Sequence, residues 1–223
     1  MVASLNASVN IAIPALSDAD WQQACDYLAH RDRVLRKVIA QAPTQRWCVQ
    51  PDAFAVLARA VVWQQLSATS GQQLWKRYQA LPNSCTPQGV LALADDALKA
   101  IRMPQRKIGH LKDLAQLFVA PQGAVVPWAD LDDEAIAEKI AAVRGLGRWN
   151  AEMFLIFHLQ RPNVVPIDDA ALQSGISATY FSGDPVSRSD VREVAQAWQP
   201  WSSVGAWLIW QTCKAMPMGL DTV

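Results

Sequence analysis

The stretch from Val143 to Leu172, VRGLGRWNAEMFLIFHLQRPNVVPIDDAAL, constrains the fold of this chain more than any other. It begins with a two-glycine turn, Gly145-Leu146-Gly147, and continues with a strongly apolar segment that predicts a helix over Trp149–Gln160. Glycines allow a tight turn after which the unpaired N–H groups of the next helix point outward. Such a helix start suits a phosphate, and Arg144 and Arg148 add positive charge. The alternative is an ordinary helix–helix turn, because two glycines around one residue are a weak signal.

The segment that follows the predicted helix brings two carboxylates back towards the turn. The twelve residues of Trp149–Gln160 form a helix about 18 Å long, and the seven residues of Arg161–Ile167 span about 24 Å when extended. Two prolines in that segment favour extended backbone. We therefore expect Asp168 and Asp169 near the turn, with one of them capping the helix that begins at Ala170 and the other facing a cleft.

These residues together resemble the helix-hairpin-helix signature of the DNA base-excision glycosylase superfamily. The string GLGRWNAEMFLIF…RPNVVPIDDAAL is similar to the alkylated-base branch, the DNA-3-methyladenine glycosylase II type. Weaker similarity extends from about Val61 to Lys214 through VVWQQLSATSGQQLW and WQPWSSVGAWLIW. The resemblance implies that Asp169 is the catalytic carboxylate and Asp168 the helix cap.

The resemblance also implies a base pocket and a set of DNA contacts. Trp149 and Trp201 match aromatic positions that line the pocket, although both could instead be core tryptophans. Met153 stands where some relatives have an aromatic residue, which implies a wider pocket. The expected DNA contacts are Gly145, Leu146, Gly147, Arg148, Gln65 and Leu66. Leu66 matches a residue that fills the gap left by an extruded base, and the alternative is that it belongs to the core.

The implied reaction is hydrolysis of an N-glycosidic bond in double-stranded DNA carrying alkylated bases. A cationic base is a good leaving group, so one ionised aspartate can stabilise the developing sugar cation and orient water. Relatives that also cut the strand use a lysine, which by motif match would stand at Trp149, so we expect no lyase activity. We expect Glu152 to be structural or solvent-facing and His158 to be buried and hydrogen-bonded.

Composition limits the other possibilities. The 223 residues carry 20 Lys and Arg against 20 Asp and Glu, which argues against strong non-specific attraction to nucleic acid but allows a local basic patch. The four cysteines are far apart and form no CxxC, so we expect no cofactor and no metal held by side chains. A monovalent cation at the carbonyls of the hairpin is compatible with the resemblance. No apolar run is long enough to span a membrane.

Helical patterns cover most of the chain, and no alternating strand pattern occurs, so we predict an all-α fold. We expect two helical lobes with a cleft between them. Residues 51–167 form the lobe that carries the helix-hairpin-helix, at about 134–160, while residues 1–50 pack with 168–223 as the other. We expect the protein to be a monomer. We also expect it to be cytoplasmic in a bacterium or nuclear in a eukaryote, because scattered cysteines without a signal peptide favour a reducing compartment. The predicted helices are one starting at Ser17, Val34–Gln41, Asp52–Trp63, Ala68–Gln79, Leu91–Ile101, Gln105–Phe118, one starting at Asp132, Trp149–Gln160, one starting at Ala170, Ser189–Gln199 and Trp201–Ala215.

Two other classes of protein remain open at this point. A non-enzymatic helix-hairpin-helix module would bind DNA with the hairpin alone and would not need Asp169, Trp149 and Trp201 together. An all-helical interaction protein would use its glycines as simple turns and would not bind DNA. Release of free base from methylated DNA separates the enzyme from both, and a DNA-binding titration separates the other two.

Overall fold

A computed structural model describes residues 16–41, 46–119, 128–213 and 216–219 of the chain. These residues form α-helices and two 3-10 turns and contain no strand, which confirms the predicted all-α class. The helices are α1 (Asp18–Arg31), α2 (Arg33–Gln41), α3 (Ala53–Trp63), α4 (Ala68–Gln79), α5 (Pro87–Ala92), α6 (Asp95–Ala100), α7 (Gln105–Val119), α8 (Asp133–Ala141), α9 (Arg148–Phe157), α10 (Ala170–Tyr180), α11 (Arg188–Gln196) and α12 (Ser202–Thr212). The 3-10 turns are Trp128–Asp130 and Pro217–Gly219.

Helix starts follow the capping residues that the sequence indicates. The side chains of Ser17, Asp52, Ser67 and Asp132 each accept a hydrogen bond from the first turn of the helix that follows. The bounds of α4 are those predicted, and α3 and α8 begin where expected. Local capping chemistry therefore determines these elements.

Four predicted helices differ from the structure, and one of them is α11, which ends at Gln196 rather than at Gln199. The single helix predicted over Leu91–Ile101 is wrong: the backbone is extended at Leu93 and Ala94, which separates α5 from α6. The helix after the hairpin ends at Phe157 rather than Gln160, whose φ of 57° is left-handed. The last helix ends at Thr212, and Ala215 lies outside the described residues.

The main helix packing falls into two groups. Helices α1, α2, α10, α11 and α12 pack with one another, and α3 to α9 form the second group. Pro217–Gly219 packs against α3 and α4, so this turn does not follow the predicted grouping of residues 168–223 with the N-terminal helices. The groups meet at a stacked pair of buried rings, Phe157 of α9 and Trp210 of α12, with centroids 5.8 Å apart. This contact places the end of α12 beside the functional stretch.

Core residues agree with the periodicity of the helices. The five tryptophans expected in the core are all buried: Trp21, Trp63, Trp75, Trp207 and Trp210. His158 is buried too, and its Nδ1 lies 2.7 Å from the carbonyl oxygen of Gln50, as the sequence analysis expected. Burial lowers the pKa of His158, so its ring is neutral near pH 7. Within the described residues, no helix combines the length and the apolar character needed to cross a membrane.

Candidate active site

Asp169 is buried, with 5% of its surface exposed, and its carboxylate accepts three hydrogen bonds. Oδ1 accepts from the backbone N–H of Leu172 at 2.7 Å and from the indole N–H of Trp210 at 2.9 Å. Oδ2 accepts from the indole N–H of Trp149 at 2.9 Å. Three donors compensate a buried carboxylate for lost hydration and fix its orientation. A carboxylate has about four lone-pair positions, so one position on Oδ2 remains for a further donor.

The two adjacent aspartates have roles that differ from the prediction. Asp169 is the N-cap of α10, because its side chain accepts from the N–H of Leu172. The prediction that Asp168 is the cap is wrong. The carboxylate of Asp168 instead forms an ion pair with the guanidinium of Arg188, at the start of α11, and is about 40% exposed. Capping and the tryptophan contacts therefore fall on the same carboxylate.

The predicted base-pocket residues are only partly brought together. Trp149 is half-buried and contacts Asp169 directly. Trp201 is half-buried at the start of α12, nine residues and roughly 13 Å along the helix from Trp210, and is not among the hydrogen-bond partners of Asp169. Met153 is fully buried in the core, so its prediction as a pocket-lining residue is wrong for this structure.

The hairpin depends on a close approach at Gly145. The φ of Gly145 is 84°, and a Cβ on this residue would lie 2.1 Å from Nδ1 of His110. Only glycine is compatible with this backbone against the buried histidine ring. Leu146 is buried, with its side chain in the core and its N–H donated to the carbonyl of Val143. The side chain and N–H of Leu146 are thus not free for the DNA contact predicted for it.

The hairpin ends at the start of α9. The N–H of Gly147 donates to the Oδ1 of Asn150 at 3.0 Å, so this donor is also occupied. The N–H groups of Arg148 and Trp149, in the first turn of α9, have no acceptor among the described residues. Gly147 has φ −137°, and an added Cβ would meet nothing within 4 Å. The free protein therefore has no room for a side chain at Gly145, whereas it has room for one at Gly147.

The arginines around the hairpin are exposed and paired with acidic side chains. Arg148 donates to both oxygens of Glu134, at 2.9 and 3.0 Å, and Arg144 donates to Asp113 at 2.7 Å. Exposed pairs of this kind contribute little to stability, so their exchange for a phosphate is inexpensive. This surface combines open N–H groups with guanidinium groups.

The Gln65–Leu66 turn, called the wedge turn because Leu66 is expected to fill the gap left by an extruded base, lies next to the hairpin. Gln65 is exposed with a left-handed φ of 57°, and its Oε1 accepts from Arg106 at 2.7 Å. Leu66 is half-buried against the core, so part of its side chain remains accessible. The preceding Gln64 donates to the carbonyl of Gly145 at 2.7 Å. The wedge turn and the hairpin are thus in direct contact.

Glu152 is a buried carboxyl one helical turn after Arg148, contrary to a solvent-facing position. Burial raises the pKa of Glu152 to about 7. The charge of Arg148, whose Nε lies 3.4 Å away, opposes this rise, and the charges of Asp168 and Asp169 reinforce it.

Glu152 lines a cavity of about 120 Å³ together with Asp133, Arg148, Asn163 and apolar residues of α8, α9 and the 164–165 segment. A second cavity of about 230 Å³ lies between Val165, Ile167 and α11. Asp169 lines neither of these two cavities.

No group of three or more His, Cys, Asp or Glu side chains in the described part of the chain could hold a metal ion. At the hairpin, the carbonyl of Gly145 already accepts the Gln64 amide, which leaves it one further lone pair. The monovalent cation considered from the sequence therefore remains a prediction.

A family comparison adds to this geometry. The profile of the HhH-GPD superfamily of base excision DNA repair proteins matches residues 58–200, which is more than half of the chain and includes both the hairpin and Asp169. The chain belongs to the HhH-GPD superfamily. The resemblance inferred from the sequence is confirmed.

The chain is also similar to named proteins, and it shares its fold with a solved structure. The DNA-3-methyladenine glycosylase 1 of Schizosaccharomyces pombe is 26% identical over 187 residues, 81% of each chain. The DNA-3-methyladenine glycosylase 2 of Escherichia coli is 28% identical over 172 residues, 72% of this chain and 58% of that protein. The structure of a 3-methyladenine DNA glycosylase from S. pombe in complex with abasic DNA superposes with a TM-score of 0.79, covering 89% of this chain and all of the other at 23% identity.

Sequence reasoning missed three residues of this region: Trp210, Asn150 and Gln64. Trp210 follows a core pattern in α12, and nothing local indicates that its indole N–H reaches Asp169. Asn150 gave a signal that was available, because a polar residue at the third position of an apolar helix is typical of a capping interaction. Gln64 follows the apolar helix α3, and nothing local indicates that its amide reaches the carbonyl of Gly145.

Proposed function

We propose that this protein is a DNA glycosylase that extrudes alkylated purines, such as 3-methyladenine and 7-methylguanine, and hydrolyses their N-glycosidic bond. The observation that carries the proposal is the buried Asp169 carboxylate, held by Trp149, Trp210 and the N–H of Leu172 directly beside the hairpin. The names of the S. pombe and E. coli relatives support the choice of alkylated bases.

The chemistry follows from charge. When the bond between C1′ and the base nitrogen breaks, its electron pair neutralises the cationic base and leaves an oxocarbenium ion on the sugar. Asp169 stabilises that cation, and water adds to C1′ and passes a proton to the carboxylate of Asp169, which releases it to solvent. The remaining lone pair on Oδ2 suits that water. Trp149 is half-buried, and an indole face that meets a cationic base attracts it by up to about 2 kcal/mol when water is excluded.

DNA binding would use the surface next to this site. The open N–H groups of Arg148 and Trp149 and the guanidinium groups of Arg144 and Arg148 suit a phosphate backbone. Leu66 would fill the gap left in the stack. Strand cleavage is not part of the proposal, because Trp149 stands where the strand-cleaving relatives are expected to have lysine.

The test is release of free base from DNA treated with a methylating agent, with the supernatant analysed by mass spectrometry. We expect 3-methyladenine and 7-methylguanine from methylated DNA, no base from untreated DNA, and no covalent complex after borohydride. Binding to DNA without release of base would overturn the enzymatic proposal in favour of a binding module. A borohydride-trapped complex would show an amine nucleophile and overturn the monofunctional assignment.

A further inference from the structure

Gln64 joins the two segments that the proposed function brings to DNA. It is the C-cap of α3 and immediately precedes Gln65 and Leu66. Its Nε2 lies 2.7 Å from the carbonyl oxygen of Gly145 and 3.2 Å from the Oδ1 of Asn150. One side chain thus spans 81 positions of sequence, from the wedge turn to the hairpin.

The orientation of this contact is determined by its partners. A backbone carbonyl is an acceptor only, so Gln64 must present its NH₂ group to Gly145. Asn150 presents its oxygen, because that atom also accepts the N–H of Gly147 at 3.0 Å. Both hydrogens of the Gln64 amide therefore face the hairpin, and a carboxylate of the same shape in this place would face two acceptors.

The other side of Gln64 is held as firmly. Its backbone carbonyl accepts from the Nζ of Lys107 at 2.7 Å, and the same ammonium group donates to the carbonyls of Val61 and Val62. Lys107 is buried, with 4% of its surface exposed. Arg106, the neighbour of Lys107, holds the side chain of Gln65. The segment leading into the wedge turn is therefore anchored to α7 through its backbone carbonyls, Gln65 is anchored to α7 through its side chain, and Gln64 joins the segment to the hairpin.

We propose that Gln64 is a positioning residue whose carboxamide sets the distance between the Gln65–Leu66 turn and the hairpin. The hairpin then holds the DNA backbone at a fixed distance from the point at which Leu66 enters the gap left by the extruded base. The proposal rests on the proposed glycosylase function for its role in catalysis, although the coupling itself is a property of the free protein. Gln64 acts through Leu66 and the hairpin and does not need to touch the reacting atoms.

The experiment compares Gln64→Met, which keeps the length and removes both donors, with Gln64→Glu, which offers only acceptors. Gln73→Met, an exposed glutamine on α4, is the matched control. In single-turnover excision, Gln64→Met should lower the plateau rate about tenfold, as the loss of two hydrogen bonds implies, and Gln64→Glu should lower it further. 2-Aminopurine next to the lesion should report less extrusion, while affinity for undamaged duplex stays within about twofold.

Backbone amide hydrogen exchange in the free protein makes the test independent of activity. Gln64→Met should increase exchange at residues 64–66 and 145–149 together, and Gln73→Met at neither. Variants with parental plateau rates, or with duplex affinity falling in step with the rate, would overturn the positioning role. If the parent releases no base, the proposed function fails, and the exchange data still decide the coupling: faster exchange at both segments supports it, and any other pattern contradicts it.

Discussion

The hairpin and the Asp169 site lie side by side at the start of α9 but are built by different kinds of contact. Inside the hairpin the decisive hydrogen bonds join residues three apart, Leu146 to Val143 and Gly147 to Asn150. The carboxylate of Asp169 is held by indoles 20 and 41 positions away. A local pattern therefore identifies the hairpin, whereas the environment of the carboxylate exists only after α9, α10 and α12 have packed.

This difference predicts that changes at Asp169 affect chemistry most. Asp169→Asn removes the anion and turns an NH₂ group towards one of the indole donors. The excision rate should fall by a factor equivalent to about 3 kcal/mol or more in barrier, with a stability loss of about 1 kcal/mol. Single-turnover release of 7-methylguanine measures the first and thermal unfolding the second. Asp168→Asn, the matched control, loses only the exposed pair with Arg188 and should keep a rate close to that of the parent.

Substitutions at the two glycines of the hairpin should differ in their effect on the free energy of unfolding. Gly145→Ala forces a side chain into left-handed backbone and against His110, which should cost about 2 to 3 kcal/mol in the free energy of unfolding. Gly147→Ala meets open space and should leave stability within about 0.5 kcal/mol. Urea denaturation of both variants measures the difference. Equal destabilisation would mean that the hairpin is not held as described.

Glu152 interacts electrostatically with Arg148 beside the hairpin and with Asp169, and its titration makes the stability of the protein depend on pH. Its pKa in the folded protein, about 7, lies above the ordinary value of 4.5, because burial disfavours the charged form. Its contribution to stability is thus present below pH 4.5 and lost as pH rises to about 7. Relative to the parent, Glu152→Gln should become more stable by about 2 kcal/mol between pH 5 and pH 8. Denaturation at both pH values tests this, with Glu134→Gln, an exposed partner of Arg148, expected to show no such trend.

The smallest expected effect concerns the indole of Trp210. Trp210→Phe removes one of the two donors to Oδ1, which should cost about 1 kcal/mol in stability and reduce excision by a factor of about five to ten. Trp198→Phe is the matched control, because Trp198 is also buried and donates its indole N–H to a buried carboxylate, Asp32, away from the site. If both substitutions slow excision equally, the Trp210 contact has no special role.

The same difference between local and long-range contacts explains which parts of the structure could be predicted from the sequence. The caps Ser17, Asp52 and Ser67 act within a few residues, so the starts of their helices were found. The break between α5 and α6 carries no glycine or proline at Leu93–Ala94 and was missed. Asp168 and Asp169 fit a helix cap equally well on local grounds.

The choice between the two aspartates, and the place of Met153, required the tertiary structure. Arg188 draws Asp168 outward, while Trp149 and Trp210 hold Asp169 inward. Met153 follows the same helical face as Trp149 in sequence, yet it is fully buried. Periodicity assigns a face, but the depth of each side chain depends on the helices that cover it.

The central claim is that the hairpin binds DNA and that Asp169 performs the hydrolysis of the N-glycosidic bond. Single-turnover excision from methylated duplex, measured over a range of enzyme concentrations for Gly147→Ala and Asp169→Asn side by side, tests it most directly. A Cβ at Gly147 should obstruct the approaching DNA backbone and raise the half-saturating concentration at an unchanged plateau, whereas Asp169→Asn should lower the plateau at an unchanged half-saturating concentration. If the two variants change the same parameter, or Asp169→Asn keeps the plateau of the parent, the claim is contradicted.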